Sequence, residues 1–256
     1  VRRLLGVKGA DFSSGEGGSA ELWLRSFPLV GRDRELAVVD ETLAKVLEGR
    51  GQVIIVNGQA GVGKSRFVAE LAAMAGDRGL MRLGGSCFSY GKQTPYLPWI
   101  HVFRAFFGLD GDDRPEKKIT ERMAEATPHL DDWTPLMAQL IGLPMPDNAL
   151  TSALGGELRK QRLFDVVSSL LRDEAGRQPM FLVFEDLHWA DVISLDMLRY
   201  IARNISGLPI LLVAVHRPTL ELPTLRNLPH CRQIDLNDLP SEDALALARS
   251  KLGLVE

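Results

Sequence analysis

A glycine-rich segment between a predicted strand and a predicted helix constrains this chain more than any other feature. Residues 58–65 have the sequence GQAGVGKS, which fits the pattern G-x-x-x-x-G-K-[ST]. The apolar, β-branched run VIIV at 53–56 predicts a buried strand over 52–58, and apolar spacing predicts a helix over 65–75. The chain must therefore fold so that this loop joins the carboxyl end of a strand to the amino end of a helix.

That arrangement predicts a phosphate-binding loop. Glycines at 58, 61 and 63 allow the backbone to approach an anion closely, and the N–H groups of the loop and the helix terminus then point at it. Lys64 is expected to bridge the β- and γ-phosphates, and the Ser65 hydroxyl to ligate Mg²⁺. The alternative is a glycine-rich turn beside an ordinary surface lysine, which the flanking strand and helix disfavour.

Two acidic residues follow a second apolar run. Residues 180–184 (MFLVF) predict a buried strand, and Glu185 and Asp186 stand at its carboxyl end, where ligands bind in sheets of this kind. One acid can hold Mg²⁺ through its water shell while the other orients or deprotonates the attacking water. We favour Glu185 for the metal and Asp186 for the water, with the reverse assignment left open. Two acids capping a strand at a solvated turn are the structural alternative.

A third apolar run, residues 208–218 (LPILLVAVHRP), predicts another buried strand. Arg217 near its end could reach a γ-phosphate from the side and sense its presence; an ordinary surface arginine is the alternative. His188 and His216 lie beside these charged residues in the sequence, and we expect both to serve packing.

Wholly apolar strands that alternate with helices predict a parallel sheet covered on both faces. The fold class is therefore α/β, a three-layer α/β/α P-loop NTPase sandwich with a mostly parallel central sheet. We expect the strand before the loop to lie beside both the strand that ends at 185–186 and the strand that ends at Arg217. The other predicted elements are a helix from Asp33 to 47, a weaker strand over 80–87, and helices around 163–171 and 191–205.

Composition excludes several classes of protein. The chain is 45% hydrophobic and 25% charged, which argues against disorder, and no run approaches the roughly 18 apolar residues of a membrane helix. A net charge of −3 argues against direct nucleic-acid binding through a basic surface. Two cysteines, Cys87 and Cys231, form no disulfide framework, which favours a cytoplasmic protein. Because no membrane helix is predicted either, we expect no membrane contact.

Several motifs in order resemble one family. The chain is similar to bacterial regulatory P-loop ATPase modules of the AAA-like, STAND signal-transduction type, found in large LuxR-type transcription regulators and behind class III adenylate or guanylate cyclase domains. The resemblance covers residues 27–252. It is carried by LVGRDREL (29–36), GQAGVGKS (58–65), GSCFSYGKQTPYLPW (85–99), FEDLHWAD (184–191) and VAVHRP (213–218).

The resemblance implies that ATP and Mg²⁺ are the cofactors, with Val30, Gly31 and Arg32 near the adenine. It implies ATP rather than GTP, and no N-K-x-D base-reading motif is present. Glu185 and Asp186 would handle metal and water, and Arg217 would sense the γ-phosphate. The residues expected to bind the phosphates are Gly58, Gln59, Ala60, Gly61, Val62, Gly63, Lys64, Ser65 and Arg66.

The predicted organisation has three parts. Residues 1–26, rich in Gly and Ser, are expected to form a flexible linker, and 27–235 the ATPase core. Dense prolines predict a helical insertion of short helices at about 88–156. Residues 236–256, with Ser241 as a helix N-cap, resemble the truncated start of a helical lid, and flanking regulatory or output domains are the implied partners.

These expectations favour an ATP-binding switch that hydrolyses ATP slowly. A P-loop small-molecule kinase is one alternative, since the 88–156 insertion could hold an acceptor pocket. A DNA-loading AAA-type ATPase fragment is another, although it requires a winged-helix segment after the lid. No second arginine is placed to act on a neighbouring subunit, so ring assembly is not predicted.

Overall fold

A computed structural model describes residues 29–91, 94–240 and 242 of the chain. The predicted linker at 1–26 and the helix predicted to begin after Ser241 lie outside the described residues. No helix among those described is long and apolar enough to cross a bilayer.

Five strands form one sheet in the order β2-β3-β4-β1-β5, and each neighbouring pair is parallel. This confirms the predicted parallel α/β architecture. Strands β1, β3 and β4 match the apolar runs of the sequence and β2 matches the weaker strand predicted over 80–87, whereas β5 was not predicted. The strands are β1 (Gln52–Gly58), β2 (Met81–Ser86), β3 (Met180–Glu185), β4 (Ile210–His216) and β5 (Cys231–Leu236).

One expected strand contact is wrong. Strand β1 pairs with β4, from Gln52 opposite Leu211 to Asn57 opposite His216, and on its other side with β5. Strand β4 therefore separates β1 from β3. All seven residues of β4 are buried, which suits a strand with neighbours on both sides and helices on both faces. The loop strand lies beside the strand that precedes Arg217, as predicted, but not beside the strand that ends in Glu185.

Helices cover both faces of the sheet. Helices α1 and α2 bury one face together with Ile54, Val56 and the other residues of the smaller apolar cluster. Most of the remaining helices bury the opposite face in the larger cluster. The helices are α1 (Asp33–Leu47), α2 (Lys64–Asp77), α3 (Leu97–Phe107), α4 (Pro115–Ala126), α5 (Thr134–Leu140), α6 (Ala149–Ser152), α7 (Gly156–Ala175), α8 (Val192–Asn204) and α9 (Pro223–Arg226).

The proline-rich segment between β2 and α7 holds four short helices. Helices α3, α4 and α5 each have proline in their first turn, where its missing N–H costs no hydrogen bond. Helix α3 packs tightly on the sheet. The ring of Trp99 is fully buried 4.5 Å from that of Phe184, and its Nε1 donates to Ser194 O at 3.2 Å. This segment is therefore part of the core beneath the end of β3.

Candidate nucleotide-binding site

The glycines of the loop are required for two different physical reasons. Gly61 and Gly63 have φ values of +85° and +93°, a left-handed conformation that residues with a Cβ atom rarely adopt. A Cβ atom on Gly58 would lie 2.7 Å from Leu236 O of the neighbouring strand and 2.9 Å from Val62 Cγ2. The left-handed turns shape the loop, and the close approach of β5 fixes where the loop begins.

Helix α2 begins at the loop with free donors. Gly63 is its N-cap residue and provides no side-chain hydrogen bond, and no acidic residue occupies the first turn. Backbone N–H groups at this end therefore retain their capacity to bind an anion, which the helix dipole also favours. Ser65 is exposed in the first turn. The guanidinium of Arg66 binds Glu70 Oε2 at 2.8 Å on the same helix, so its side chain extends along the helix.

Lys64 lies across the loop. Its Nζ donates to Gly58 O at 2.9 Å and to Gln59 O at 2.7 Å. Partial burial lowers its pKa, while the charge of Asp186 raises it and that of Arg217 lowers it. The side chains from three separate segments are thus close enough for their charges to interact.

The acidic pair stands at the carboxyl end of β3. By strand alternation, Glu185 lies on the face of the sheet that Phe181 and Val183 share with α2. Asp186 has φ +54° and ψ +37°, a left-handed backbone that is unusual for a residue with a side chain. The chain turns there into a 3₁₀ segment, Leu187–Trp189, held by the Trp189 N–H donating to Asp186 O at 2.8 Å. Such strain is concentrated at functional sites.

Arg217 follows β4 at the same edge of the sheet. His216, the last residue of β4, is buried, and its Nδ1 lies 2.8 Å from Arg217 O. Because a carbonyl oxygen accepts, Nδ1 carries the proton. Burial lowers the pKa of His216. Arg217 Nε is buried and has no hydrogen-bond partner among the described residues.

The segment that precedes α1 is tied to this site by Arg32. Its buried guanidinium donates to Val62 O at 3.4 Å, to Asn237 O after β5, and to Glu35 Oε1 at 3.3 Å. The side chain therefore joins the phosphate loop to the segments that flank the sheet. No sequence signal distinguishes this buried tie from an exposed arginine.

A family model described as an AAA ATPase domain matches residues 28–213, nearly three quarters of the chain. The chain belongs to this AAA ATPase family. The match includes the loop and the acidic pair and ends before Arg217. The family implies nucleotide binding, usually with Mg²⁺.

Other comparisons are more distant. An uncharacterized protein of Rhizobium meliloti (strain 1021) is 28% identical over 197 residues, which are 75% of this chain and 19% of that protein. The chain thus spans about a fifth of that relative's length. One chain in the structure of the HORMA:CdnC:Trip13 complex of E. coli MS115-1 is 12% identical in sequence, with a TM-score of 0.49. That match covers 94% of this chain and 72% of the other chain. AMPPCP-bound DnaA from Aquifex aeolicus is 12% identical in sequence, with a TM-score of 0.45. That match covers 91% of this chain and 54% of the DnaA chain. Similarity this low indicates nothing about what this AAA domain binds.

The residues present fit a magnesium–nucleotide complex. Among the described residues, no three His, Cys, Asp or Glu side chains converge as a closed metal site. Mg²⁺ bound with a nucleotide does not need one, because it keeps several waters and takes one or two carboxylates together with phosphate oxygens. The Ser65 hydroxyl and a carboxylate of the 185–186 pair have the oxygen atoms that such a complex would need.

The tertiary structure brings most of the predicted site residues together at the carboxyl ends of the strands. Lys64, Asp186 and Arg217 interact electrostatically there, beside the loop. The Arg66 side chain is engaged along α2 instead. His188 joins the group, although its sequence position alone suggested packing: the charges of Asp186, Arg217 and Lys64 all act on its pKa.

Proposed function

We propose that this AAA domain binds ATP with Mg²⁺ and hydrolyses it slowly, as the regulatory switch of a larger bacterial signal-transduction or transcription regulator. The observation that carries the proposal is the meeting of a left-handed glycine loop, the cation of Lys64 and the charges of Asp186 and Arg217 at one sheet edge. A polyphosphate is the ligand that requires all of these groups at once.

The proposed roles follow from position. The loop N–H groups and Lys64 hold the phosphates, and Ser65 and Glu185 hold Mg²⁺, which neutralises developing charge on the transferred phosphoryl group when bound. Asp186 accepts the proton of the water that attacks the γ-phosphorus, and ADP leaves. Arg217 binds the γ-phosphate, which suits a guanidinium whose Nε lacks a partner among the described residues.

Adenine recognition is proposed for residues 30–32. Arg32 holds this segment against Val62 of the loop and Asn237 after β5, which keeps it near the phosphate site. Backbone groups of Val30 and Gly31 would then contact the base. A preference for ATP over GTP is part of the same proposal.

The switch role is proposed from the resemblance to STAND-type modules and from the length of the relative. Since the chain spans only 19% of that protein, most of its length lies in other regions. ATP would then act by binding one arrangement of the core and its neighbouring regions more tightly than another. We propose the cytosol as the compartment, where ATP and Mg²⁺ are both supplied.

The first experiment compares Lys64→Ala with the unchanged chain. Mg²⁺-dependent binding of ATP, ADP and GTP and release of phosphate are measured in the same samples. The variant loses a charged hydrogen-bond donor worth about 1.5–3 kcal/mol, so ATP affinity should fall by at least about tenfold. Lys117→Ala, which alters an exposed lysine on α4, is the matched control. Equal ATP affinity in all three proteins would contradict the site.

The two acids are separated by a second pair of variants. Asp186→Asn should keep Mg²⁺-dependent binding and lower turnover by about 10²–10⁴-fold, since it removes the group that accepts the proton. Glu185→Gln should weaken the dependence of binding on Mg²⁺. The opposite pattern would reverse the two roles. Phosphate transfer to an added acceptor in place of water would indicate a kinase.

A further inference from the structure

The side chain of His188 is almost fully buried and lacks the hydrogen bonds it needs among the described residues. Only 6% of its side chain is exposed, and neither ring nitrogen has a hydrogen-bond partner among the described residues. A neutral imidazole offers one donor and one acceptor, and buried groups left unsatisfied are costly. An apolar residue of the same size would fill this space without that cost. Packing alone therefore does not explain a histidine here.

The ring is held beside one acid. His188 Nδ1 lies 3.9 Å from Asp186 Oδ1, about an ångström beyond a hydrogen bond. The 3₁₀ turn restrains the ring, because Leu187 is buried, and the Trp189 ring lies 5.1 Å away. By contrast, 48% of the Asp186 side chain is exposed. The exposed Asp186 side chain is therefore the partner that has room to move toward the ring.

Charged groups from several segments act on His188. Burial is the main cause of its lowered pKa, Asp186 opposes that shift, and the cations of Arg217 and Lys64, with His216, add to it. In either protonation state the imidazole carries at least one N–H that can donate to a carboxylate.

We infer that His188 is a positioning residue for Asp186: its Nδ1–H donates to the Asp186 carboxylate when nucleotide fills the loop. The bond holds the carboxylate where it accepts the proton of the attacking water. Lys64 Nζ donates to Gly58 O and Gln59 O in this structure and turns to the phosphates when nucleotide binds, whereas His188 stays beside Asp186. The inference rests on the proposed hydrolysis.

Three substitutions separate positioning from packing. In His188→Asn an amide nitrogen takes a place near that of Nδ1, in His188→Gln it lies near Nε2, and His188→Phe keeps a ring without nitrogen. Turnover should fall about 10- to 100-fold in the Phe and Gln variants and much less in Asn, with ATP affinity within about twofold throughout. His129→Phe, at a largely exposed histidine, is the control. Full turnover in His188→Phe, or loss of turnover that follows the melting temperature across all variants, would overturn the inference.

A spectroscopic measurement tests the bond itself. The chain has five histidines, so the ¹⁵N resonances of His188 can be assigned by their loss in His188→Asn. Adding Mg²⁺ and a slowly hydrolysed ATP analogue should shift Nδ1 to a protonated, hydrogen-bonded signal that is absent in Asp186→Ala. Analogue binding with unchanged His188 resonances overturns this inference and leaves the proposed nucleotide site standing. Failure of the analogue to bind overturns both.

Discussion

Substitution of Gly85 by alanine should destabilise the fold through contact with a single helix. A Cβ atom at Gly85 on β2 would lie 2.1 Å from Pro98 O and 2.7 Å from Pro98 C on α3, whereas ordinary contact begins near 3.4 Å. Both contacts are with backbone, so no side-chain rotation relieves them. Helix α3 must move away from the sheet by more than an ångström.

The cost follows from what that movement separates. Trp99 of α3 is fully buried against Phe184, and a gap of 0.5–1 Å forfeits roughly a quarter to a half of the dispersion attraction between such groups. Overpacked cores lose about 1–3 kcal/mol, and a backbone clash belongs at the upper end, about 3 kcal/mol. For a chain of this size that is roughly 6–12 °C in melting temperature.

The assay is urea and thermal unfolding followed by circular dichroism, with Gly207→Ala as the matched control. A Cβ atom at Gly207 meets nothing within 4 Å, and its φ is not left-handed. That variant should be neutral or more stable by about 0.4–1 kcal/mol, because alanine lowers the entropy of the unfolded chain. If Gly85→Ala unfolds within about 1 kcal/mol of Gly207→Ala, the close packing of α3 on β2 is refuted.

Two further predictions concern local features. Asp191 caps α8 by accepting a hydrogen bond from Ser194 N at 2.9 Å. Asp191→Ala should therefore lower the free energy of unfolding by about 1 kcal/mol, whereas Asp191→Asn should keep most of that stability. Equal urea midpoints for the two variants would contradict the cap. Burial, with the charges of Asp191 and Asp186, raises the pKa of the Cys87 thiol to about 12. Alkylation of Cys87 at pH 8, followed by mass spectrometry, should therefore be far slower in the native chain than in urea, and equal rates would show that the thiol is accessible.

The sequence predicted the parts of the site that are contiguous along the chain. Residues 58–65 form the predicted loop because glycines at 61 and 63 adopt their left-handed conformations locally. Strand β5 was missed because it is an outer strand of the sheet. Only Ile234 and Leu236 of this strand are buried, so it has no continuous apolar run. The side-chain contacts of Arg32 were not predicted because its partners Val62 and Asn237 are distant in sequence.

The sequence by itself determined the class of fold and the ligand chemistry of the loop. Apolar runs alternating with helical spacing permit little except a covered parallel sheet, and the glycine loop before Lys64 specifies an anion site. Only the tertiary structure decided that β4 separates β1 from β3. Buried strands of similar apolar composition give no sequence signal for their order in the sheet. It also decided which charges meet, since the proximity of Lys64, Asp186, His188 and Arg217 depends on the order in which three strands end at one edge.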